Sequence, residues 1–323
     1  MSATFARRLL PALFLAAASA AVAQTSYPTK PVRLVVPFAA GGPVDVLARA
    51  LGAHLAKATG QQFLIENKPG GGSIIAWDSV AKASPDGYTL LVAGVGSRTI
   101  LPAVANLPFD PAKDLAPVTR LADAANVFVA SPVAGIRTLQ ELIGKAKANP
   151  GKISIGIPAP ATVTHFSATL LQRDANVTFN EVPYKGGAPA AQAAMGGEID
   201  VLVADIGAVL GQIQSGKLLA LATTTPQRLP VLQNVPTASE AGLTNIVAVN
   251  AYGLFAPAGT PREVIAKLNA AAAVAMRSTE VREQIGRLGM FPETSTPESF
   301  EAYLREQTTK WTPLAKASGV RLN

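Results

Sequence analysis

The sequence predicts an α/β protein of two lobes joined by two crossovers. Three observations predict it. Short apolar runs alternate with segments of helical spacing through almost the whole chain. Two such series of similar size follow one another, with breaks near residues 120–126 and 245–252 and no low-complexity linker. A helical tail closes the chain. There is no cysteine, so no disulfide staples either lobe, and 323 residues suffice for two separate cores.

In order, "VRLVV" (32–36) reads as a buried strand. Val44, Leu47, Ala48, Leu51 and Leu55 then recur at helical spacing over 44–57. "QFLIE" (62–66) is a strand, "IIAWDSVAKA" (74–83) a helix, and Pro85-Asp86-Gly87 a turn before the strand "YTLLVAG" (88–94). This order predicts a parallel sheet covered on both faces. The second series begins with the strand "NVFVA" (126–130) and the helix "TLQELIGKAKA" (138–148). "KISIGI", "FNEVPY" and "IDVLVAD" are strands, alternating with the helical "TVTHFSATLLQ" and "APAAQAAMGG". "IGAVLGQIQSG" is a helix stopped by Gly216, and "LLALAT" is a strand. "VAVNAYGLFAP" (247–257) returns to the first lobe as a strand. Three helical segments follow from 262, with Thr260-Pro261 and Thr296-Pro297 as starts. The chain divides into 24–124, 125–247 and 248–323, the outer pieces forming one lobe.

Residues 1–23 read as a secretory signal peptide. Arg7 and Arg8 precede the apolar "LLPALFLAAASAAV", and Ala21-Val22-Ala23 is a small-x-small cleavage pattern. No cysteine stands at the cleavage point to take a lipid. Loss of the two arginines lowers the formal charge from +7 to +5. Lys and Arg are scattered, without a basic stripe or interleaved aromatics, which argues against nucleic acid. A mildly positive field suits small anions instead.

The strand-end loops carry the functional signal: "PFAAGGPVD" (37–45), "NKPGGGSII" (67–75), "AGVGSRTI" (93–100), "IPAPATVTH" (157–165) and the end at Asp205. A phosphate loop needs Lys and Ser or Thr after its last glycine. Here Pro43-Val44-Asp45 follows Gly42, and no G-x-G-x-x-G is present. A carboxylate on free backbone N–H groups at the helix start fits as well as a bare helix cap does. Catalysis has little support. Neither a G-x-S-x-G elbow nor an H-E-x-x-H pair occurs, and His54 and His165 are too few and too far apart for zinc. No metal or cofactor is expected.

As an ordered series the motifs resemble the tripartite tricarboxylate transporter receptors, the Bug family of periplasmic solute-binding proteins. The series runs "YPTKPVRLVVPFAAGGPVDVLAR", "IENKPGGGS", "VAKASPDGYTLLVAG", "LPFDPAKDLAPVTRLA", "AKANPGKISIG", "VPYKGGAPA", "GGEIDVLVAD", "SGKLLALATT", "VPTASEAGL" and "YGLFAPAGTPREVIAKLN". The resemblance implies a type II-like, Venus-flytrap periplasmic-binding-protein fold and an organic carboxylate ligand held by backbone groups and bridging water. It carries ligand contacts onto Phe38, Ala39, Gly41, Gly42, Asp45, Gly72, Ser73, Thr164, His165 and Asp205. It also implies membrane permease subunits as partners and a monomeric, periplasmic receptor that is not an enzyme. The chain departs from the family in its second loop, where Ile74 replaces a polar residue, and in the proline-rich fourth loop. Arg98 stands where a polar or histidine-like residue is usual. These departures predict a stiffer, more apolar pocket for a dicarboxylate with an aliphatic or aromatic body, and Arg98 as a direct carboxylate partner. A sensor-kinase partner, an exported hydrolase and loss of binding are the alternatives.

Overall fold

The computed structural model describes residues 27–322, so the signal-peptide expectation lies outside the described residues. The first series folds as β1 (Val32–Val36), α1 (Pro43–Thr59), β2 (Phe63–Asn67), α2 (Ile74–Ala81), β3 (Thr89–Gly94) and α3 (Val95–Val104). A long strand, β4 (Leu115–Ala130), leads to α4 (Leu139–Ala148), β5 (Ser154–Ile157), α5 (Val163–Ala175), β6 (Asn180–Pro183) and α6 (Gly187–Gly196). Then come β7 (Val201–Asp205), α7 (Ile206–Gln214), β8 (Leu219–Thr223) and the returning β9 (Val249–Pro257). The tail is α8 (Arg262–Arg277), α9 (Thr279–Gly286), β10 (Met290–Pro292) and α10 (Pro297–Ala317).

The strands join in the order β2-β1-β3-β9-β4-β7-β5-β6, with β8 and β10 also on β4. β1 runs parallel to β2 and β3, and β5 runs parallel to β6 and β7, as the alternation predicts. The centre differs from the expected parallel sheet: β9 is antiparallel to β3 and β4, and β4 is antiparallel to β7 and β8. The reason lies in β4. Its first part, Leu115–Ala125, pairs with β9, and Asn126–Ala130 pairs with β7. One strand thus belongs to both lobes. Only 126–130 reads as strand in sequence, because Pro117, Arg120 and Asp123 interrupt the apolar run. Two register shifts, at Pro117/Thr119 and Arg120/Ala122, accommodate the interruption. Residues 95–104 also depart from expectation. Of these, 95–100 belong to the expected strand-end loop 93–100, but the whole stretch forms α3, which buries Val95, Ile100, Leu101 and Val104.

Each lobe buries both faces of its strands. Side-chain alternation sends Val35 and Leu91 to a cluster with Trp77, Phe255 and Phe300, while Leu34, Leu90 and Val92 pack against Leu47 and Leu51 of α1. In β4, Val127 and Val129 face α6 and α7, while Phe128 and Ala130 face α4 and α5. The tail ties the lobes together. Phe300 and Leu304 of α10 lie in the first lobe's core, whereas Trp311 packs 6.5 Å from Phe166 of α5. Burial of each such large side chain contributes about 1.5–3 kcal/mol.

Candidate functional site

Parallel strands deliver their following helices at one edge, so the helix starts of the two lobes meet across a cleft. Phe38, Gly42, Pro43 and Val44 from the first turn line one side of a cavity there, with Gly94, Gly96 and Ser97 of the β3–α3 junction. Pro158, Ala159, Thr162, Thr164, Gly187, Asp205 and Ala208 line the other, and Asn250 and Tyr252 of β9 form its floor. The cavity is small, about 40 Å³. The lobes touch around it: the Ala39 N–H donates to the Lys185 carbonyl across the cleft at 3.2 Å.

Five helices, α1, α3, α5, α6 and α7, present their first turns to this cavity. Gly42, Gly94 and Gly186 have no side chain with which to cap α1, α3 and α6, and Asp205 makes no cap bond to α7. Only α5 is capped, by Thr162 accepting from the His165 N–H. Free N–H groups and aligned peptide dipoles make the cavity electropositive. Among the described residues, no Lys, Arg or His lines it.

Asp45 explains the shape of the first turn. It is 2% exposed and does not line the cavity. Oδ2 accepts from the Gly41 N–H and Arg49 Nε at 2.9 Å, and Oδ1 accepts from Arg49 Nη2 and Asn67 Nδ2. Gly41 takes φ +83°, a left-handed conformation that glycine adopts without penalty. Burial alone pushes the Asp45 carboxyl up, but the hydrogen bonds from Arg49, Gly41 and Asn67 outweigh it and hold the group below its ordinary value.

Asp205 has the opposite surroundings. The residue is half-buried and lines the cavity. It accepts from Asn250 Nδ2 and the Tyr252 hydroxyl, with Thr164 Oγ1 at 3.4 Å. No cation offsets its desolvation, which pushes it up to about 7. Asn126 completes the network by accepting from Thr164 Oγ1 and Asn250 Nδ2.

Of the residues expected to meet a ligand, Phe38, Gly42, Thr164 and Asp205 line the cavity. Ala39, Gly41 and Asp45 shape the turn behind it. Gly72 and Ser73 lie at the start of α2. A Cβ on Gly72 would stand 3.4 Å from the Pro160 carbonyl of the facing loop. His165 is 3% exposed and turned away. Its Nδ1 accepts from the Ala161 N–H, so the ring proton sits on Nε2 and faces Glu181 at 3.0 Å. Ala161 has φ +56°, and the histidine pins that turn. Arg98 requires a correction. Its guanidinium is buried, donating from Nε to the Pro111 carbonyl and from Nη2 to Glu301, both at 2.9 Å. It joins α3 to α10 and does not face the cleft, because the helical rotation of α3 turns Ser97 inward instead. Ser97, Asn250 and Tyr252 line the cavity but are not among the residues the sequence assigns to the ligand. Asn250, a polar residue inside the apolar "VAVNAYGLFAP", was the available signal, and Tyr252 shares its face at i+2. Ser97 Oγ is buried without a hydrogen-bond partner.

The fold and this helix-end cup define a two-lobed solute-binding receptor. Comparison with known proteins gives the family. The model of the tripartite tricarboxylate transporter family receptor matches residues 47–320. Protein BugT of Bordetella pertussis is 32% identical over 314 residues, covering 96% of each chain. Among solved structures, MatC from Rhodopseudomonas palustris with bound malate is 33% identical with TM-score 0.86, over 90% of this chain and 100% of that one. R. palustris Rpa4515 with adipate is 30% identical with TM-score 0.87, over 91% and 99%. The chain belongs to the tripartite tricarboxylate transporter receptor family, whose members are periplasmic solute-binding receptors. Among the described residues, no helix is long and apolar enough to cross a membrane.

Proposed function

We propose that this receptor captures a small organic dicarboxylate between its lobes and delivers it to the membrane subunits of a tripartite transporter. The observation that carries the reading is the convergence of uncapped helix N-termini on a cavity without a basic side chain. Malate and adipate in the two related structures support the ligand class. Phe38, Pro158, Ala159 and Ala208 supply apolar walls for an aliphatic or aromatic body. Phe38, Gly42, Thr164 and Asp205 contact the ligand, joined by Ser97. Ala39, Gly41, Asp45, Gly72, Ser73 and His165 fix the surrounding loops.

The lobes divide at 124/125 and 247/248, each one residue before the point where β4 changes partners and where β9 begins. Ligand bridging the two sides favours closure, a hinge motion at these crossovers in a monomer carried to the periplasm by its signal peptide. Among the described residues, Ser97 Oγ at the cavity has no hydrogen-bond partner to activate it, and His165 is held by Ala161 and Glu181, which disfavours hydrolysis.

A thermal-shift screen tests the reading. Malate, adipate, citrate, phthalate isomers and amino acids are each added at hundredfold to thousandfold excess over Kd. A true ligand raises stability by about 3–4 kcal/mol. A panel in which amines stabilise the protein and carboxylates do not would overturn the assignment.

A further inference from the structure

We infer that Asp205 is a neutral acid in the occupied cleft, so that capture of a carboxylate takes up one proton and weakens in alkaline surroundings. This rests on the carboxylate reading above. The argument is one of neighbours. From β4, Asn126 stands in the network around Asp205; from α5, Thr164 does; from β9, Asn250 and Tyr252 do. The first turn of α1 contributes Pro43 and Val44, and α3 contributes Gly96 and Ser97. Gly187 of α6 lines the same cavity, and α7 has no charged residue along its length. Two ionisable groups come near and turn away. Asp45 is bound to Arg49 and Asn67, and His165 faces Ala161 and Glu181. Among the described residues, no Lys, Arg or His pairs with Asp205.

A ligand carboxylate would share this small cavity with Asp205. Two anions confined together do not both stay ionised. The ligand keeps its charge because the helix N-termini stabilise it. Asp205 yields, since burial has already raised its proton affinity. The proton comes from solvent and bonds to a carboxylate oxygen of Asp205; no ligand bond breaks. The acid O–H then donates to the ligand, while Asn250 continues to donate to the other oxygen.

The test uses the mature chain with malate and adipate, which are ionised at both carboxyl groups from pH 7 upward. Titration calorimetry at pH 7 and pH 8.5 gives the affinity. Buffers of different ionisation enthalpy give the proton count. Apparent Kd should rise about fifteenfold across that range, following the protonated fraction of Asp205. Close to one proton should be taken up per ligand at pH 8.5. Asp205→Asn, which presents a permanently neutral group, should bind with equal affinity at both pH values and take up none. Affinity independent of pH in the wild type, with no uptake, overturns the inference and leaves the carboxylate reading intact. Affinity that rises with pH also overturns it, marking Asp205 as an anionic partner for an ammonium group. A slope that persists in Asp205→Asn assigns the proton to another residue. Should neither probe nor any other carboxylate of the screen bind at pH 6 or 7, the carboxylate reading itself fails. If Asp205→Asn does not fold, the proton count of the wild type still decides.

Discussion

Asp45 and Asp205 occupy related places, one in the first turn of α1 and one at the N-cap of α7. Their chemistry diverges because Arg49 follows Asp45 by one helical turn and nothing cationic accompanies Asp205. The pH dependence of stability should carry both signatures. Asp45 titrates lower in the folded state than its ordinary 3.8, so its contribution is complete above about pH 4 and fades as pH falls through the folded value. Asp205 titrates higher when folded. Between about pH 4 and 7 the folded, ligand-free protein holds the extra proton, and stability falls as pH rises through that window. Chemical denaturation across pH 2–9 should therefore show a flatter acid limb for Asp45→Asn and a flatter limb from pH 4 to 7 for Asp205→Asn. Asp45→Asn should also cost about 2 kcal/mol through lost charged hydrogen bonds, and it should loosen the Gly41 turn. Binding should weaken while the preference for anions survives. Tighter carboxylate binding by Asp45→Asn, as loss of a repelling charge would give, would place Asp45 in the pocket instead.

The helices divide the labour of the site. α1 and α3 turn their starts to the cleft, and each is anchored from behind. For α3 the anchor is Arg98, pairing with Glu301 of α10, which also receives Arg305 Nε at 3.2 Å. Arg98→Met should lower stability by about 3 kcal/mol, the low end for breaking a buried pair, because Glu301 keeps Arg305. Ligand affinity should hold within a factor of two, since the guanidinium is turned away from the cavity. Calorimetry on the variant checks this, and a tenfold loss of affinity would return Arg98 to the site. The alternation of strand and helix made these helices legible, with α3 the exception. Gly94, Gly96 and Pro102 resemble a loop, and the buried residues Val95, Ile100, Leu101 and Val104, together with the Arg98 pair, hold the helix in place.

At the scale of the molecule, the two sides of the cleft meet backbone against backbone. A Cβ on Gly207 of α7 would lie 2.8 Å from the Leu288 carbonyl oxygen and 3.3 Å from Pro43 Cβ, both in the opposite lobe. One on Gly96 would lie 2.9 Å from the Val163 nitrogen. Gly207→Ala should keep the lobes apart. Small-angle scattering should find no compaction on adding saturating ligand, and affinity should fall at least tenfold. The unfolding temperature without ligand should move by no more than about 3 °C. Full compaction of the variant would show that the lobes close with room to spare.

Local order alone determined much of this protein. Periodicity and turn residues specified nearly every strand and helix, and the run of motifs carried the family. The first turn was legible because its glycines, proline and acid act on their own neighbours. Tertiary structure decided which side chains meet the cavity. Arg98 and Ser97 are adjacent in sequence, yet one pairs with Glu301 and the other faces the cleft, because a helix turns successive residues about 100° apart. Asn250 and Tyr252 reach Asp205 from a strand some 45 residues further on, a contact that exists only once β9 has paired with β4. Sequence thus set the helix ends that attract an anion, while the pairing of distant strands set the acid that faces it.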